Sequence, residues 1–341
     1  MLRDNILKIG KVPPEILKSS VYPFLGKRRK DVLVHSGFGE DCSIIDYGEN
    51  VAVVSTDPIT GADKNSGYIG VYISTNDIAA CGAKPIGIMV TLLLPAGSDE
   101  NMLKDIMEGI HKGANSLGVE VLGGHSEITD GVVKPIISVT AIGIAKKDEY
   151  VTSSGAKPGD DVIITKALGL EGTAILAADY EDILKIKLGD EIVSRAKSFI
   201  ESIGVVEEGL AAARVGVTAM HDITEGGLLG AAYEVAEASG AGIVIFEEEL
   251  PIYQETKAIC EFFNINPLGL ISSGSMLICT PKGKEVVEAL KSKGINAAIV
   301  GKVTNDEKIL MSENNSRIIA PPERDELYVA IERAAKMLDK K

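Results

Sequence analysis

Short β-branched runs alternate with longer stretches whose apolar residues recur every three or four positions, the pattern of a chain in which strands and helices take turns. Residues 51–56, Val-Ala-Val-Val-Ser-Thr between Asn50 and Pro58, predict a buried strand. Over residues 67–81, Ile69, Tyr72, Ile73 and Ala80 fall at helical spacing, and Gly82 stands where a helix end takes a left-handed residue. Residues 86–94 predict a second strand. Ser98, Asp99 and Glu100 open a helix, their acidic groups favouring its positive end. Met102, Ile106, Ile110, Ala114 and Leu117 form its apolar stripe, and Gly118 is the stop. Residues 119–122 and 132–144 add two strands, so the first half reads β-α-β-α-β-β, a small mixed sheet with helices on one face.

The turn chemistry of residues 155–160, Gly-Ala-Lys-Pro-Gly-Asp, marks the expected junction between two domains. Beyond it the pattern predicts strands at 162–165, 217–220 and 243–246 and helices at 171–179 and 226–239. Residues 276–279, 284–293 and 297–300 predict a closing β-α-β unit. Residues 1–35 mix charges with Pro13 and Pro14 and read as an N-terminal arm, which leaves domains at 36–148 and 149–341. The expected class is α/β (α+β). A chain of 341 residues suits two domains, and 45% apolar content with no tryptophan and few other aromatics makes the core aliphatic.

A formal net charge of −14 repels phosphate backbones and argues against a nucleic-acid partner. The basic run Lys27-Arg28-Arg29-Lys30 is either a solvated turn or a contact for an anionic ligand. Cys42, Cys81, Cys260 and Cys279 are far apart and form no CxxC pair, which argues against a structural zinc site or a disulfide framework and fits a reducing compartment. No apolar run follows Met1, and the longest apolar stretches fall far short of the roughly 20 residues that span a bilayer. The expectation is a cytoplasmic protein with no membrane partner.

Four aspartates stand inside apolar segments or at their ends. Asp41 lies in Gly37-Phe38-Gly39-Glu40-Asp41-Cys42, Asp57 follows strand 51–56, Asp77 sits in a mostly apolar helix, and Asp222 precedes Ile223-Thr224-Glu225-Gly226-Gly227. Singly, each has the ordinary explanation of a cap or turn residue. As a set they read differently. Carboxylates at strand ends point into the crevice where α/β proteins bind ligands. A hard cation such as Mg2+ relieves their repulsion and takes phosphate oxygens and waters for its remaining positions.

Gly123-Gly124, between two predicted strands, and Glu225-Gly226-Gly227, at a predicted helix start, are turns whose N–H groups can meet phosphate. No GxxxxGK[ST] run occurs, and Gly37-Phe38-Gly39 lacks the third glycine at position 42, so neither a P-loop nor a dinucleotide fingerprint is present. The histidines show no HExxH spacing. His111 reads as a surface residue, whereas His125 and His221 adjoin the candidate phosphate turns, where an imidazole can donate to phosphate or move a proton. Cys42 and Cys81 read as small packing residues, and Ser272-Ser273-Gly274-Ser275 as a polar turn with a substrate loop as the alternative.

In this order the segments resemble the PurM-like superfamily of aminoimidazole-ribonucleotide synthetase. That superfamily also holds formylglycinamidine-ribonucleotide synthetase, selenophosphate synthetase, thiamine-monophosphate kinase and the hydrogenase maturation factor HypE. The resemblance runs over about residues 36–320. It is carried by Gly39-Glu40-Asp41, Ser55-Thr56-Asp57, the stretch from Asn76-Asp77 to Lys84-Pro85, Gly123-Gly124-His125-Ser126, Ser154 to Asp160, His221 to Leu228, and Ser272 to Ser275. It implies a two-domain PurM-like fold in which the N-terminal sheets of a homodimer join into a barrel beside a C-terminal α/β sandwich, with ATP in a groove near the interface. It also implies that Asp41, Asp57, Asp77 and Asp222 hold Mg2+ or position phosphates, and that Asp57, Asp77, His125 and Asp222 serve catalysis. Asp41, Asn76, Gly123, Gly124, Glu225, Gly226 and Gly227 would then contact ATP.

Among the branches, the arm and overall pattern are most similar to HypE. HypE carries its reaction on a C-terminal cysteine, and none follows Cys279 here, so that self-carried reaction is not expected in its usual form. The reactive Cys or Sec and nearby Lys of selenophosphate synthetase have no counterpart. The arginine that thiamine-monophosphate kinase places before its Ser-Gly-Ala-Lys-Pro-Gly-Asp is absent from Val151-Thr152-Ser153. The resemblance implies an ATP- and Mg2+-dependent enzyme that activates a carbonyl or amide oxygen by phosphoryl transfer. Its acceptor would be a small molecule or protein-borne, and hydrogenase maturation, with a maturation partner protein, its setting. The alternatives are a small-molecule kinase resembling thiamine-monophosphate kinase and a nucleotide-binding scaffold that turns nothing over.

Overall fold

The computed structural model describes residue 7 and residues 10–60, 64–313, 315–320 and 322–338. A short helix, α1 (Pro14–Ser20), leads into β1 (Val32–Val34), β2 (Ser43–Tyr47) and β3 (Asn50–Ile59). Then α2 (Ser66–Ala80), β4 (Lys84–Pro95), α3 (Glu100–Leu117), β5 (Glu120–Thr129) and β6 (Ile136–Lys146) complete a six-stranded sheet in the order β1-β2-β3-β6-β4-β5. β1 and β2 lie outside the sequence expectation, and β1 falls within the expected arm. Helix α3 ends as its caps dictate: the Asp99 carboxylate accepts the Met102 N–H at 2.9 Å, and Gly118 turns left-handed at φ +64°.

The predicted strand 119–122 and the glycine turn after it need correction. β5 runs unbroken through Gly123 and Gly124, with Gly124 opposite Val90 of β4 in a parallel pair. A Cβ on Gly124, where φ is +154°, would lie 1.8 Å from the Val90 carbonyl oxygen. Gly124 therefore serves a close approach of two strands, and the pair is no turn.

The second half contains β7 (Asp161–Thr165), α4 (Leu170–Asp179), α5 (Glu181–Leu188), α6 (Asp190–Ser198), α7 (Val206–Val215), β8 (Ala219–Asp222) and α8 (Gly227–Ser239). It continues with β9 (Gly242–Phe246), α9 (Gln254–Phe263), β10 (Met276–Thr280), α10 (Gly283–Ser292) and β11 (Ala297–Thr304). The chain then adds β12 (Lys308–Ser312), β13 (Asn315–Ile318) and α11 (Glu326–Leu338). The seven strands order as β13-β12-β9-β11-β7-β10-β8. β10 and β11 each run antiparallel to β7, which lies between them, so the expected β-α-β unit is present but straddles a strand. It does not close the fold, because β12 and β13 extend the sheet.

Helix α2 holds the two halves together. It is apolar on every side and buried nearly all round, as such a helix must be. It lies against β3 and β6, with α3, α7 and β8 also packed on it. Its contact with α7 is close: a Cβ on Gly209 would lie 2.2 Å from the Ala79 carbonyl oxygen. One core cluster joins Ile69 and Val139 of the first half to Ile175, Val193 and Phe263 of the second, and it is mainly aliphatic, as the composition requires.

Candidate active site

Four segments deliver the four aspartates to one place. Asp57 lies on β3, Asp77 in the last turn of α2, Asp222 at the end of β8, and Asp41 in the loop between β1 and β2. The Ser55 hydroxyl donates to Asp77 and faces Asp57 at 3.5 Å. Asp77 is 8% exposed and Asp222 1%, so their charges are poorly solvated. Burial first, then the charges of Asp57, Asp222 and Asp41, hold the Asp77 carboxyl well above its ordinary range. Burial and Asp41 push Asp222 up to about 7, with His221 pulling the other way. This is a site that repels itself.

Asp41 is held by a relay. His221 Nδ1 lies 2.7 Å from Asp41 Oδ1, and its Nε2 lies 2.9 Å from Glu234 Oε2 on α8. Burial alone would favour the neutral imidazole, but Asp41 and then Glu234 outweigh it and keep His221 protonated well above the usual histidine range. Glu234 is likewise driven by Lys11 and His221 down to about 2 against the opposing effect of burial. The Lys11 ammonium stands 3.8 Å from Glu234, and the Lys11 N–H donates to Glu225 at 3.1 Å. Glu234 and Lys11 carry no motif that would single them out in the sequence, and Ser55 enters it only as a neighbour of Asp57.

Other expected residues have different tasks here. Asn76 spends its side-chain amide on backbone, donating to the Ile203 carbonyl at 2.8 Å and accepting from the Val205 N–H at 2.9 Å. The Gly226 N–H donates to Asp325 at 2.6 Å and the Gly227 N–H to the Thr224 carbonyl at 3.0 Å, so neither is free for phosphate in this state. Glu225 stands near the cluster, within range of Lys11. Gly124 shares a cross-sheet row with Val90, Val139 and Asp57. Three strand spacings separate the ends of that row, about 14 Å. His125 is exposed on the same edge strand, its ring 3.2 Å from Glu127. Within one chain, His125 and the Gly123-Gly124 pair do not join the aspartates. Cys42 and Cys81 are buried beside them as small packing residues.

Among the described residues, no three acidic, histidine or cysteine side chains converge tightly enough to cage an ion. Mg2+ does not require a cage, since one or two carboxylates, phosphate oxygens and waters complete its shell. The four aspartates offer hard oxygens, and Asp222 Oδ2 is buried without a hydrogen-bond partner. Those oxygens would suit a hard divalent cation such as Mg2+.

Two family models match the chain: the AIR synthase related protein N-terminal domain over residues 39–145 and the C-terminal domain over residues 157–312. A putative hydrogenase expression/formation protein of Methanocaldococcus jannaschii is 30% identical over 332 residues, spanning 92% of this chain and 94% of its own. Carbamoyl dehydratase HypE of Rhodobacter capsulatus is 27% identical over 295 residues, 83% of this chain and 82% of its own. Among solved structures, a HypE–HypF complex aligns at TM-score 0.70 and 24% identity, covering 82% of this chain and 93% of that one. HypE in complex with ATP aligns at TM-score 0.67 and 18% identity, covering 94% and 98%.

Proposed function

This chain belongs to the AIR synthase related family, in its HypE branch, and on that premise we propose that it is an ATP- and Mg2+-dependent enzyme of hydrogenase maturation that activates a carbonyl or amide oxygen by phosphoryl transfer. One observation carries this reading: Asp41, Asp57, Asp77 and Asp222 meet in a buried cluster whose mutual repulsion a cation would relieve. The similarity to carbamoyl dehydratase HypE supports the amide chemistry, and the fold shared with HypE solved with ATP supports the nucleotide. The HypE–HypF complex supports a maturation partner protein.

One or two of Asp41, Asp57, Asp77 and Asp222 would hold Mg2+, which when bound neutralises charge on a transferring phosphoryl group. His221 and Glu234 orient Asp41, and with both ring nitrogens committed His221 is a positioning residue. All four cysteines are buried, so the acceptor is a separate molecule or a partner's group.

A second copy of the chain would cover β5, which is exposed on both faces along nearly its whole length. Leu122 and Ile128 on it, Met89 on the adjoining β4 and Ile144 on β6 beyond it are exposed apolar side chains. Covering this edge would bring His125 and Gly124 to the interface. The test is calorimetry and ADP release: MgATP should bind and turn over, and Asp57→Asn should cut turnover about 100-fold or more. No binding of MgATP, or unchanged turnover in Asp57→Asn, defeats the reading; tight binding without turnover leaves a scaffold.

A further inference from the structure

The peptide unit between Gly204 and Val205, just ahead of α7, is gripped at both ends by side chains from different halves of the chain. Its carbonyl accepts from the Lys166 ammonium at 2.5 Å, and its N–H donates to the Asn76 side-chain oxygen at 2.9 Å. The Asn76 amide completes the grip by donating to the Ile203 carbonyl at 2.8 Å. Asn76 is fully buried, and the next residue is Asp77, in the last turn of α2.

Lys166 is anchored in its turn. Its ammonium stands 2.5 Å from Glu208 Oε1 in the first turn of α7, and both side chains are largely buried. The residue follows β7 directly and holds φ at +52°, a left-handed backbone in which glycine would be free and a side chain is strained. Glycine would relieve that backbone, so what lysine adds at this position is its ammonium. A buried ion pair stabilises a fold little better than an apolar pair of the same volume, and its best-attested use is to fix one arrangement among several.

The arrangement at stake is that of the aspartates. Asp77 comes from the first half of the chain and Asp222 from the second, and Asp222 is among the charges that act on Asp77. The turn carrying Asp77 touches the second half through the clamp on residues 203–205 and through the close approach of Gly209 to the Ala79 carbonyl. Hydrogen bonds behind a ligand set where the ligand stands.

We propose that Lys166 and Glu208 are positioning residues that act through the Gly204–Val205 peptide and Asn76 to fix Asp77 against Asp222. The consequence for Mg2+ rests on the nucleotide reading; the positioning itself does not.

The test replaces the pair in the full chain by Lys166→Met with Glu208→Leu, which leaves no buried charge unpaired. The double variant should fold, with a Tm within about 3 °C of the wild type. Amide hydrogen exchange should quicken about tenfold or more at Val205 and at Cys81, whose N–H closes the last turn of α2 on the Asp77 carbonyl, while Ile163 in β7 is unchanged. The Mg2+ needed for half-maximal ATP turnover should rise about tenfold or more. Loss of folded protein alone would lower turnover without moving that requirement. Unchanged exchange at Cys81 overturns the proposal, as does an unchanged Mg2+ requirement. A double variant that fails to fold overturns it too, because the pair would then serve the fold alone. A wild-type protein that neither binds nor turns over MgATP removes the nucleotide reading, and exchange at Cys81 then decides the positioning by itself.

Discussion

Replacing Glu171 with glutamine should make the protein more stable at pH 8 and change it little at pH 5. Burial foremost, then the charges of Asp325 and Glu225, push this carboxyl from an ordinary 4.5 up to about 7, with Ser273 easing the shift. An acid whose pKa rises on folding binds a proton in the folded state that the unfolded state has released, so stability falls as pH rises from 4.5 to about 7 and is level above. The gap is about 2.5, and at about 1.4 kcal/mol for each tenfold step it amounts to about 3 kcal/mol. Glutamine keeps the shape and cannot ionise. Urea unfolding of both proteins between pH 5 and 8 is the assay. The variant's advantage should grow from less than about 1 kcal/mol at pH 5 to about 3 kcal/mol at pH 8. Asp325, itself pushed up to about 7 by burial, titrates in the same window in both proteins, so the difference between them isolates Glu171 and its coupling to Asp325 and Glu225. A difference that stays constant from pH 5 to 8, or a variant less stable at pH 8, refutes the reasoning.

Three other perturbations probe the rest of the structure. His221→Ala strands Asp41 and Glu234 without their shared partner and should cost about 3–5 kcal/mol in urea unfolding, and a loss under about 1 kcal/mol would mean the relay is not formed. Gly209→Ala drives a methyl group into the Ala79 carbonyl oxygen and should cost about 1–3 kcal/mol, seen as a lower Tm; an unchanged Tm would place α7 farther from α2. Leu122→Glu puts a charge on the exposed apolar edge of β5 and should convert a dimer to a monomer in sedimentation, whereas an unchanged sedimentation coefficient argues against that edge as the interface.

Much of the architecture was legible from periodicity. The stripe from Met102 to Leu117, with Asp99 and Gly118 at its ends, could hardly be anything but α3. Several elements were missed, among them the amphipathic helices α6, α9 and α11, whose apolar spacing was not read, and strands without a period to read. β1 has three residues, too few for any period to register, and β12 and β13 become strands by pairing with what lies beside them. Gly123-Gly124 misled for a related reason: glycine pairs signal turns in general, and only the nearness of Val90 reveals a strand.

The aspartates could be named as a set from their places in apolar segments, since an acid there needs a reason that solvation does not supply. Their meeting, and the commitments of Asn76, Gly226 and His221, depended on contacts between segments far apart in the chain. Asp325 reaches Gly226 across 99 positions and Asn76 reaches Val205 across 129, and no local pattern encodes such pairs. Helix and strand follow from interactions within a few residues, which a linear code can carry. A site built from charge, burial and hydrogen bonding exists only once the whole core has closed around it.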